Sequence, residues 1–252
     1  MKKHYKIILI TMFIMLLASI TVKAAPTLNV PNVNISVDGA DTPKEYVDNI
    51  KLLILLTSLT FIPAAVLLMT SFTRIVIVLG FVRNALSTQQ SPPNQVLIAL
   101  ALFMTLFIMA PVYNDVNANA IKPYIEGEIT QEQAIEVGSK PIKDFMLNQT
   151  REKDLALFYK ASDIQKPEDR YEVPFNVLVP AFAISELKTA FQMGFLIFVP
   201  FIVIDMVVAS ILMSMGMFML PPVTISLPFK LLLFVMADGW NLVVKSLLES
   251  FK

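Results

Sequence analysis

The chain has 252 residues, of which 56% are hydrophobic and only 16% are charged. A soluble domain usually carries about 25% charged and about 45–50% apolar residues, so this composition excludes a disordered chain and indicates a membrane protein. Twenty Lys and Arg balance twenty Asp and Glu, for a formal net charge of zero. No excess positive charge is available to neutralise phosphates, so we expect no nucleic-acid partner.

Two residue types that carry much of enzyme chemistry are scarce. The sequence has no cysteine, and its one histidine is His4. Disulfides, thiolate metal sites and iron–sulfur clusters are therefore excluded, and removal of the first residues would also exclude Ser-His-Asp catalysis and histidine zinc sites. Carboxylate and lysine chemistry stays open, but we expect no enzyme, no bound metal and no cofactor.

The first segment has the parts of a secretory signal peptide. A basic start over residues 1–6 precedes an almost wholly apolar run over residues 7–22, and small residues follow at Ala24 and Ala25. This order predicts a cleavable signal peptide over residues 1–24, with an uncleaved anchor helix as the alternative. Residues 25–50 are rich in Asn, Pro and Asp, which predicts a polar extracytoplasmic lead-in.

Long uncharged runs follow. Residues 52–73 and 84–114 carry no charge, and residues 189–229 carry only Asp205. A bilayer core needs about 20 helical residues to cross it, so the runs are long enough for membrane spans. They predict four apolar helices, near 51–82, 94–113, 187–212 and 216–246. These helices form two hairpins, over residues 51–113 and 179–252.

A charged segment separates the hairpins. Residues 114–178 hold half of the charged side chains of the chain. Thr130 and Gln133 have the spacing of a capping box, which predicts a helix that begins there and breaks at Pro141. A second amphipathic helix is predicted over 151–161. The segment is thus expected to be partly helical and periplasmic.

The signal peptide also sets the expected topology. A cleaved signal leaves the mature N-terminus in the periplasm, so four crossings place the 83–95 loop inside. The charged segment and the C-terminus then lie outside. Arg74 and Arg83 flank the inside loop, in agreement with the positive-inside rule.

Isolated charges interrupt the apolar helices. They are Arg74, Glu186, Lys188, Asp205, Lys230, Asp238 and Lys245. Ionisable groups in lipid are costly, and they usually face a partner or a water-filled cavity. Asp205 is the most isolated of them, and it could pair with Lys230 or Lys188, face a wet lumen, or relay protons or ions. Pairing is the favoured interpretation.

Methionines alternate with other residues over 213–219, ahead of Pro221 and Pro222. Methionine is unbranched and adaptable, so ordinary apolar packing is one interpretation. The other is a deformable hydrophobic constriction, formed when several copies bring these residues together around a pore.

Two long motifs give the chain a family resemblance. Residues 180–195 read PAFAISELKTAFQMGF, residues 228–240 read PFKLLLFVMADGW, and residues 91–96 read SPPNQV. Over about residues 45–250 the chain resembles the FliP family, the export-gate proteins of flagellar type III secretion. The motif positions are Pro180, Ser185, Glu186, Phe191, Gly194, Pro228, Lys230, Asp238, Gly239 and Trp240.

The resemblance implies an all-α, non-enzymatic subunit of the export gate in the bacterial inner membrane, at the flagellar basal body. It implies a homopentamer that joins FliQ-like and FliR-like subunits and works with FlhA-like and FlhB-like components. Together they form a narrow conduit for unfolded flagellar axial proteins, and in that assembly the helices sit largely above the bilayer plane.

The resemblance also assigns individual residues. Met217, Phe218 and Met219 stand where the family has a methionine-rich gasket at the pore constriction, although Phe218 departs from the all-methionine version. Glu186, Asp205 and Lys230 stand where the family makes polar contacts within and between subunits.

The sequence leaves three other functions open. Virulence-type secretion systems contain homologous gate subunits with both long motifs. A secondary transporter would show internal repeats and broken helices, and no internal repeat is evident here. An intramembrane enzyme would need an acid pair, for which Glu186 and Asp205 are the only candidates.

Overall fold

A computed structural model describes residues 50, 52–54, 56–162, 164–165, 167 and 169–251. The chain divides into two compact units, residues 1–55 and 56–252. In the first unit the described residues are 50 and 52–54, and they are helical. The predicted signal peptide, and the lead-in as far as residue 49, lie outside the described residues and stay predictions.

The second unit is built from helices, and its described residues contain no strand. We number the helices α1 Ile62–Met69, α2 Phe72–Ala85, α3 Asn94–Val116, α4 Lys122–Ile125, α5 Gln131–Gln149, α6 Glu152–Ala161, α7 Phe175–Ser214, α8 Pro222–Met236 and α9 Gly239–Glu249. A π-helical turn, Asn117–Ile121, joins α3 to α4, and a 3₁₀ turn, Arg170–Glu172, precedes α7. The predicted all-α fold is confirmed.

Two of the described helices are long and apolar enough to cross a membrane by themselves. They are the continuous helix Asn94–Ile125 and α7, with 32 and 40 residues. The number rises to four if two bent pairs each count as one span, Leu52–Leu59 with Ile62–Met69 and α8 with α9. Length and composition thus agree with the four apolar helices predicted from sequence.

The predicted helix ends need correction at four places. The helix expected near 94–113 continues to Ile125. The helix expected near 51–82 is interrupted between α1 and α2, because Thr70 is extended and its hydroxyl accepts a hydrogen bond from the amide of Phe72. The helix expected near 187–212 begins at Phe175 instead, directly after Pro174. The helix expected near 216–246 is two helices, α8 and α9, bent by 63°. In each case apolar composition located the helix but not its ends.

A break at Pro141 was expected in the helical stretch that runs from the capping box to about Asn148, and this was wrong. The capping box itself is present, with the Thr130 hydroxyl accepting from the Gln133 amide and the Gln133 side chain accepting from the Thr130 amide. The helix nevertheless continues through Pro141 to Gln149. Packing keeps the helix continuous beyond Pro141, because Met146 is fully buried in the second core.

Helix α2 is the centre of the main core. Its residues Ile75, Val78, Leu79 and Val82 are completely inaccessible to solvent. Helix α7 packs along α2, and α3 packs beside it. The buried residues of α2 recur every three or four positions, so one face of the helix is enclosed by α7 and α3, while Val76, Ile77 and Phe81 on the other side are only partly buried.

A second core lies under the charged segment. It gathers Met146 of α5, Tyr159 of α6 and Phe182 of α7, with Val177 and Leu178 from the start of α7. The first two turns of α7 therefore belong to this core. This explains why α7 begins so far ahead of its strongly apolar part.

Gly194 allows α7 and α2 to pack closely against each other. A β-carbon at this position would lie 2.4 Å from Cδ2 of Phe81. The Phe81 ring also meets the ring of Phe191 edge-on, with 5.3 Å between the centroids. The glycine and the phenylalanine of the long motif thus form one contact between these two helices.

We expect Gly194→Ala to lower the free energy of unfolding by about 1–3 kcal/mol, because the added methyl must displace the Phe81 ring in a packed interface. Thermal unfolding of the detergent-purified protein measures the loss. Gly80→Ala is the matched control, since a β-carbon there meets nothing within 4 Å and alanine favours the helix. Equal unfolding temperatures for the two variants would contradict the close-packing explanation.

The outer faces of the long helices are apolar and exposed. On α3, Phe103 and Phe107 are more than 70% exposed, and on α7 the exposures of Phe195, Leu196 and Met206 are 63%, 69% and 64%. Faces of this kind mark contacts with lipid or with other chains.

Candidate functional site: two buried ion pairs and an exposed methionine turn

Glu186 is completely buried in the middle of the first long motif, and its partner is Arg74 of α2. The guanidinium meets the carboxylate with two parallel hydrogen bonds, one of them from Nε of Arg74 to Oε2 at 2.9 Å and the other from NH2 to Oε1. Bidentate pairing of this type is the strongest arginine–carboxylate geometry. This geometry allows both ionised side chains to be buried, with exposures of 2% for Arg74 and 0% for Glu186.

The remaining N–H groups of Arg74 are also used. NH1 donates to the carbonyl oxygen and the hydroxyl of Ser250, at 2.8 and 3.0 Å, and NH2 donates to Oε1 of Gln149 at 2.9 Å. The ring of Phe251 lies 3.8 Å from the guanidinium carbon. All five donors of Arg74 are therefore satisfied, which is what a buried arginine needs.

The Arg74 cluster joins four distant parts of the chain. Arg74 comes from the first hydrophobic region, Gln149 ends α5 in the charged segment, Glu186 lies on α7, and Ser250 and Phe251 come from the C-terminal end. Arg74 was recognised in the sequence as an isolated charge. Glu186 was also recognised there, but its pairing with Arg74 and the neutral partners Gln149 and Ser250 were not, because up to 176 residues separate them from Arg74.

The second buried pair joins Asp205 to Lys230. Nζ of Lys230 lies 2.6 Å from Oδ2 of Asp205 and also donates to the carbonyl of Ala85 at 3.1 Å and to the hydroxyl of Ser87 at 2.8 Å. Ser226 donates to the other carboxylate oxygen of Asp205. Lys230 is 1% exposed and its three donors are all used, while the Asp205 side chain keeps 26% exposure.

In the structure Asp205 thus pairs with Lys230 and not with Lys188. The pair fastens α7 and α8 to the C-terminal end of α2, through the last carbonyl of that helix. Arg74 fastens the beginning of α2 to the same α7. One helix is thus tied at both of its ends to the two motif-bearing regions.

Ser185, the motif residue before Glu186, holds α6 against α7. Its hydroxyl donates to Oδ2 of Asp154 at 2.6 Å and accepts from the amide of Arg151 at 3.1 Å. Burial raises the pKa of Asp154, but hydrogen bonds from Ser185 and Arg151 and the positive charges of Arg151 and Lys188 outweigh it, so the pKa lies below its ordinary value. This carboxylate stabilises the fold at neutral pH, and the contribution is lost as the pH falls through the lowered pKa.

Residues of the second motif form the bend between α8 and α9. Asp238 has a left-handed backbone, with φ of 49°. A β-carbon on Gly239 would lie 2.3 Å from the ring of Phe234, and that ring also meets Trp240 edge-on at 5.3 Å. Pro180 and Pro228 of the two motifs lie inside α7 and α8 without ending them.

The predicted gasket residues lie in the turn between α7 and α8. The turn is closed by hydrogen bonds from the amide of Gly216 to the carbonyl of Met213 and from Met217 to Leu212, both 3.0 Å. This is a Schellman cap, and it requires the positive φ of 76° that Gly216 adopts. Phe218 is 78% exposed and Met219 is 97% exposed. A defined turn therefore presents these side chains away from the fold.

Chemistry at these sites is limited. Across the described residues, no group of three or more His, Cys, Asp or Glu side chains is placed to hold a metal. Glu186 and Asp205, the acid pair that an intramembrane enzyme would need, each have a separate basic partner. The arrangement holds helices together and leaves a hydrophobic turn exposed.

The fold and these contacts define an all-α membrane-type protein whose helices are clamped by internal ion pairs. Residues 55–247 match the FliP family. The flagellar biosynthetic protein FliP of Bacillus subtilis is 57% identical over 217 residues, which cover 86% of this chain and 98% of that protein. The FliP of Pectobacterium carotovorum is 58% identical over 81% of this chain and 79% of its own length. That of Aquifex aeolicus is 50% identical over 82% and 87%.

The chain belongs to the FliP family of flagellar biosynthetic proteins. Membership makes it a component of the flagellar export apparatus, in a family that is structural and not known for catalysis. Its apolar helices agree with a location in the membrane.

Proposed function

We propose that this chain is a subunit of the flagellar export gate and lines a narrow conduit through which unfolded flagellar axial proteins pass. In this proposal it is non-enzymatic, assembles as a homopentamer in the inner membrane at the basal body, and joins FliQ-like and FliR-like subunits beside FlhA-like and FlhB-like components. The observation that carries the proposal is the turn after α7, in which Phe218 and Met219 are exposed and Met217 is half-buried beside them.

The turn has the properties of a gate. Met219 is 97% exposed, so nothing in its own fold uses the side chain. Several copies arranged around an axis would bring these apolar groups together and exclude water from the opening. Methionine changes shape easily, so a passing polypeptide can displace it and it can reseal afterwards. Phe218 adds bulk to the same constriction.

The two buried ion pairs support this role because they provide a rigid frame. The Asp205–Lys230 pair lies between α7 and α8, the helices that the turn connects. Polypeptide transit then deforms the flexible side chains of the turn and leaves the helices in place.

The C-terminal contacts support the expected side of the C-terminal end, but not the expected place of Arg74, which lies with this end and not beside the inside loop. Ser250 and Phe251 lie against Gln149 and Phe145 of α5, in the charged segment, through Arg74 and through stacked rings. The C-terminal end and the charged segment therefore belong on one side of the membrane, which in this proposal is the periplasmic side.

Replacing Met217 and Met219 together with alanine is expected to raise ion conductance through the closed gate, since the smaller side chains no longer fill the constriction. The whole gate complex, purified and reconstituted in a planar bilayer, gives the conductance, and its mass reports assembly. We expect normal assembly with a clear leak.

The matched control is the double variant Met206→Ala and Val207→Ala, two exposed apolar residues of α7 outside the turn. Its conductance is expected to equal that of the unmodified complex. Unchanged conductance in the Met217 and Met219 variant, or the same leak in both variants, would contradict the gating role.

A further inference from the structure

An apolar groove lies between α5 and the end of the helix that precedes it. Its volume is about 440 Å³, and apart from Gln131, Ser139 and the hydroxyl of Tyr124 its lining is apolar. Ile135 is 64% exposed and Tyr124 is 47% exposed, and exposed apolar surface of this kind marks a contact with another molecule. We call this surface the α5 groove, and it is formed by Ile121 and Tyr124 of the helix Asn94–Ile125 and by Ala134, Ile135, Gly138 and Ile142 of α5.

Two features of the backbone shape the α5 groove. The π-helical turn Asn117–Ile121 interrupts the regular hydrogen bonding of the first helix, as such turns often do at functional positions. Beside this turn, a β-carbon on Gly138 would lie 3.1 Å from the β-carbon of Ala120, so the two helices touch there. The α5 groove therefore belongs to a closely packed helix pair and not to a loop.

The α5 groove lies beyond the reach of a bilayer core. The helix Asn94–Ile125 has 32 residues, which correspond to a length of about 48 Å, and a bilayer core is about 30 Å thick. Asp115 is the first charge of this helix, and the groove residues follow it. In the proposed topology this end of the helix is periplasmic, so lipid does not cover the groove and a protein surface has to.

Carboxylates flank the lining residues of the α5 groove along the chain. One of them, Glu136, pairs with Lys140 at 3.8 Å, and Lys122 is an exposed cation of the first helix. Three others are exposed and make no ion pair or side-chain hydrogen bond with another described residue: Glu126, Glu128 and Glu132. The groove therefore favours an apolar partner that carries positive charge.

Helix α6 carries a surface of the opposite charge. Lys153, Leu157 and Lys160 are exposed, and their spacing of four and three residues places them on one face of the helix. Leu157 is 56% exposed, and neither lysine makes an ion pair or hydrogen bond with another described residue. Together with the exposed Ala156 between them, we call these residues the α6 face.

The α6 face fits the α5 groove better than the other cations of the chain do. Its two lysines bracket an exposed leucine, and free carboxylates flank the groove on both of its helices. The other described cations of the charged segment outside the groove already contact a partner: Lys140, Lys143, Arg151 and Arg170. Arg83, Lys188 and Lys245 each stand alone on an apolar helix.

Both surfaces belong to the charged segment, so every copy of the chain presents them on the same side of the membrane. Glu152 is the only exposed acid of α6, which leaves the α6 face positively charged. The two surfaces share no residue, and the fold of a single copy uses neither of them. Two different and complementary surfaces on one chain are what a contact between neighbouring copies in a ring requires.

We propose that the α6 face of one copy docks into the α5 groove of the next copy, with Leu157 in the groove and Lys153 and Lys160 beside its free carboxylates. The inference rests on the proposed assembly of several copies around an axis, and it names the surfaces that join them. It does not depend on gating by the methionine turn.

Because the sequence has no cysteine, introduced thiols test the contact directly. The double variant Ile135→Cys and Leu157→Cys places one thiol in the α5 groove and one on the α6 face of the full chain, expressed with the other flagellar export proteins. Oxidation of the membranes and non-reducing electrophoresis are expected to give a ladder of covalent oligomers. Cells that express the two single variants together are expected to give dimers only, since each copy then has one thiol.

The matched control is Ile135→Cys with Met206→Cys, an exposed position about 46 Å along α7 from Phe175 of the groove lining. We expect no ladder from this variant. If complexes whose mass shows several copies give no ladder with Ile135→Cys and Leu157→Cys, or only the ladder of the control, the proposed contact is wrong while the homopentamer stands. A mass with one copy of the chain rejects both. A ladder with unchanged conductance in the methionine variants supports the contact and rejects only the gate.

Charge reversal on the α6 face tests its selectivity in the same cysteine background. Lys153→Glu with Lys160→Glu is expected to lower the crosslinked fraction about tenfold, equivalent to about 1.4 kcal/mol, because like charges then face each other. Lys245→Glu is the control, since it reverses an exposed cation outside both surfaces and should leave the ladder unchanged. Adding Glu126→Lys and Glu132→Lys to the reversed α6 face should restore the ladder. Undiminished crosslinking after reversal, or no restoration in normally folded protein, would overturn the proposal.

Discussion

Replacing Glu186 with glutamine is expected to lower the free energy of unfolding by about 3–5 kcal/mol, since removal of one member of a buried ion pair leaves the other charge uncompensated. Glutamine has nearly the same volume and can still accept one hydrogen bond from Arg74. The loss of stability therefore measures the effect of removing the charge of Glu186. The side chain of Glu186 is 0% exposed, and that of Arg74 is 2% exposed.

The measurement is thermal unfolding of the purified protein in detergent, and Glu136→Gln is its control. Glu136 pairs with Lys140 at 3.8 Å, and both side chains are at least half exposed. A pair of this type contributes only about 0.3–0.5 kcal/mol. If the two variants unfold at the same temperature, the Arg74 cluster does not hold the fold together.

The second large effect is expected at Asp205. Asp205→Ala leaves the ammonium of Lys230 buried with two neutral acceptors and no counter-charge, so we expect a loss of about 3 kcal/mol and a low yield of assembled complex. Asp205→Asn should be milder, because its amide oxygen can still accept from Lys230 or Ser226. The yield of complex after solubilisation, together with flagellar export in cells, measures both effects.

This experiment also separates structure from proton transfer. A structural pair predicts that export falls in proportion to the yield of complex. If both variants assemble normally while export stops, the proton-relay interpretation of Asp205 is correct instead. Lys230→Met serves as the reciprocal test, since it removes the cation and leaves Asp205 able to contact water through its 26% exposed side chain.

The two ion pairs together explain why polar residues occur in apolar helices of this protein. Arg74 and Glu186 join segments 112 residues apart, and Lys230 of the second pair also donates to the carbonyl of Ala85, 145 residues away. Apolar side chains alone would allow the helices to slide along one another. Satisfied ionic contacts at both ends of α2 permit one alignment, as the cost of breaking either pair is high.

Much of the fold was predictable because it depends on local rules. Hydrophobic runs located the apolar helices, and the Thr130 and Gln133 spacing located the beginning of α5. The ends of α7 and the bend at Asp238 were not predictable, because packing determines them. Val177 and Leu178 draw α7 into the second core, and the Phe234 ring requires glycine at position 239.

The candidate site was likewise predictable from the sequence only in part. The resemblance of two motifs selected Glu186, Asp205, Lys230 and the methionine turn, and isolation among apolar residues identified Arg74 and Asp238 as unusual charges. The neutral partners of these charges were hidden, since Gln149, Ser250 and Ser87 give no signal in a single sequence. An ordinary polar residue becomes an ion-pair ligand only through its position in space.

By itself, the sequence determined that this is an all-α membrane-type protein of the FliP family, because hydropathy and motif order are local properties of the chain. Tertiary structure decided which charges neutralise each other and which face of α2 is buried. These outcomes depend on distances between residues that are up to 176 positions apart, and side-chain burial fixes the electrostatic cost of each one.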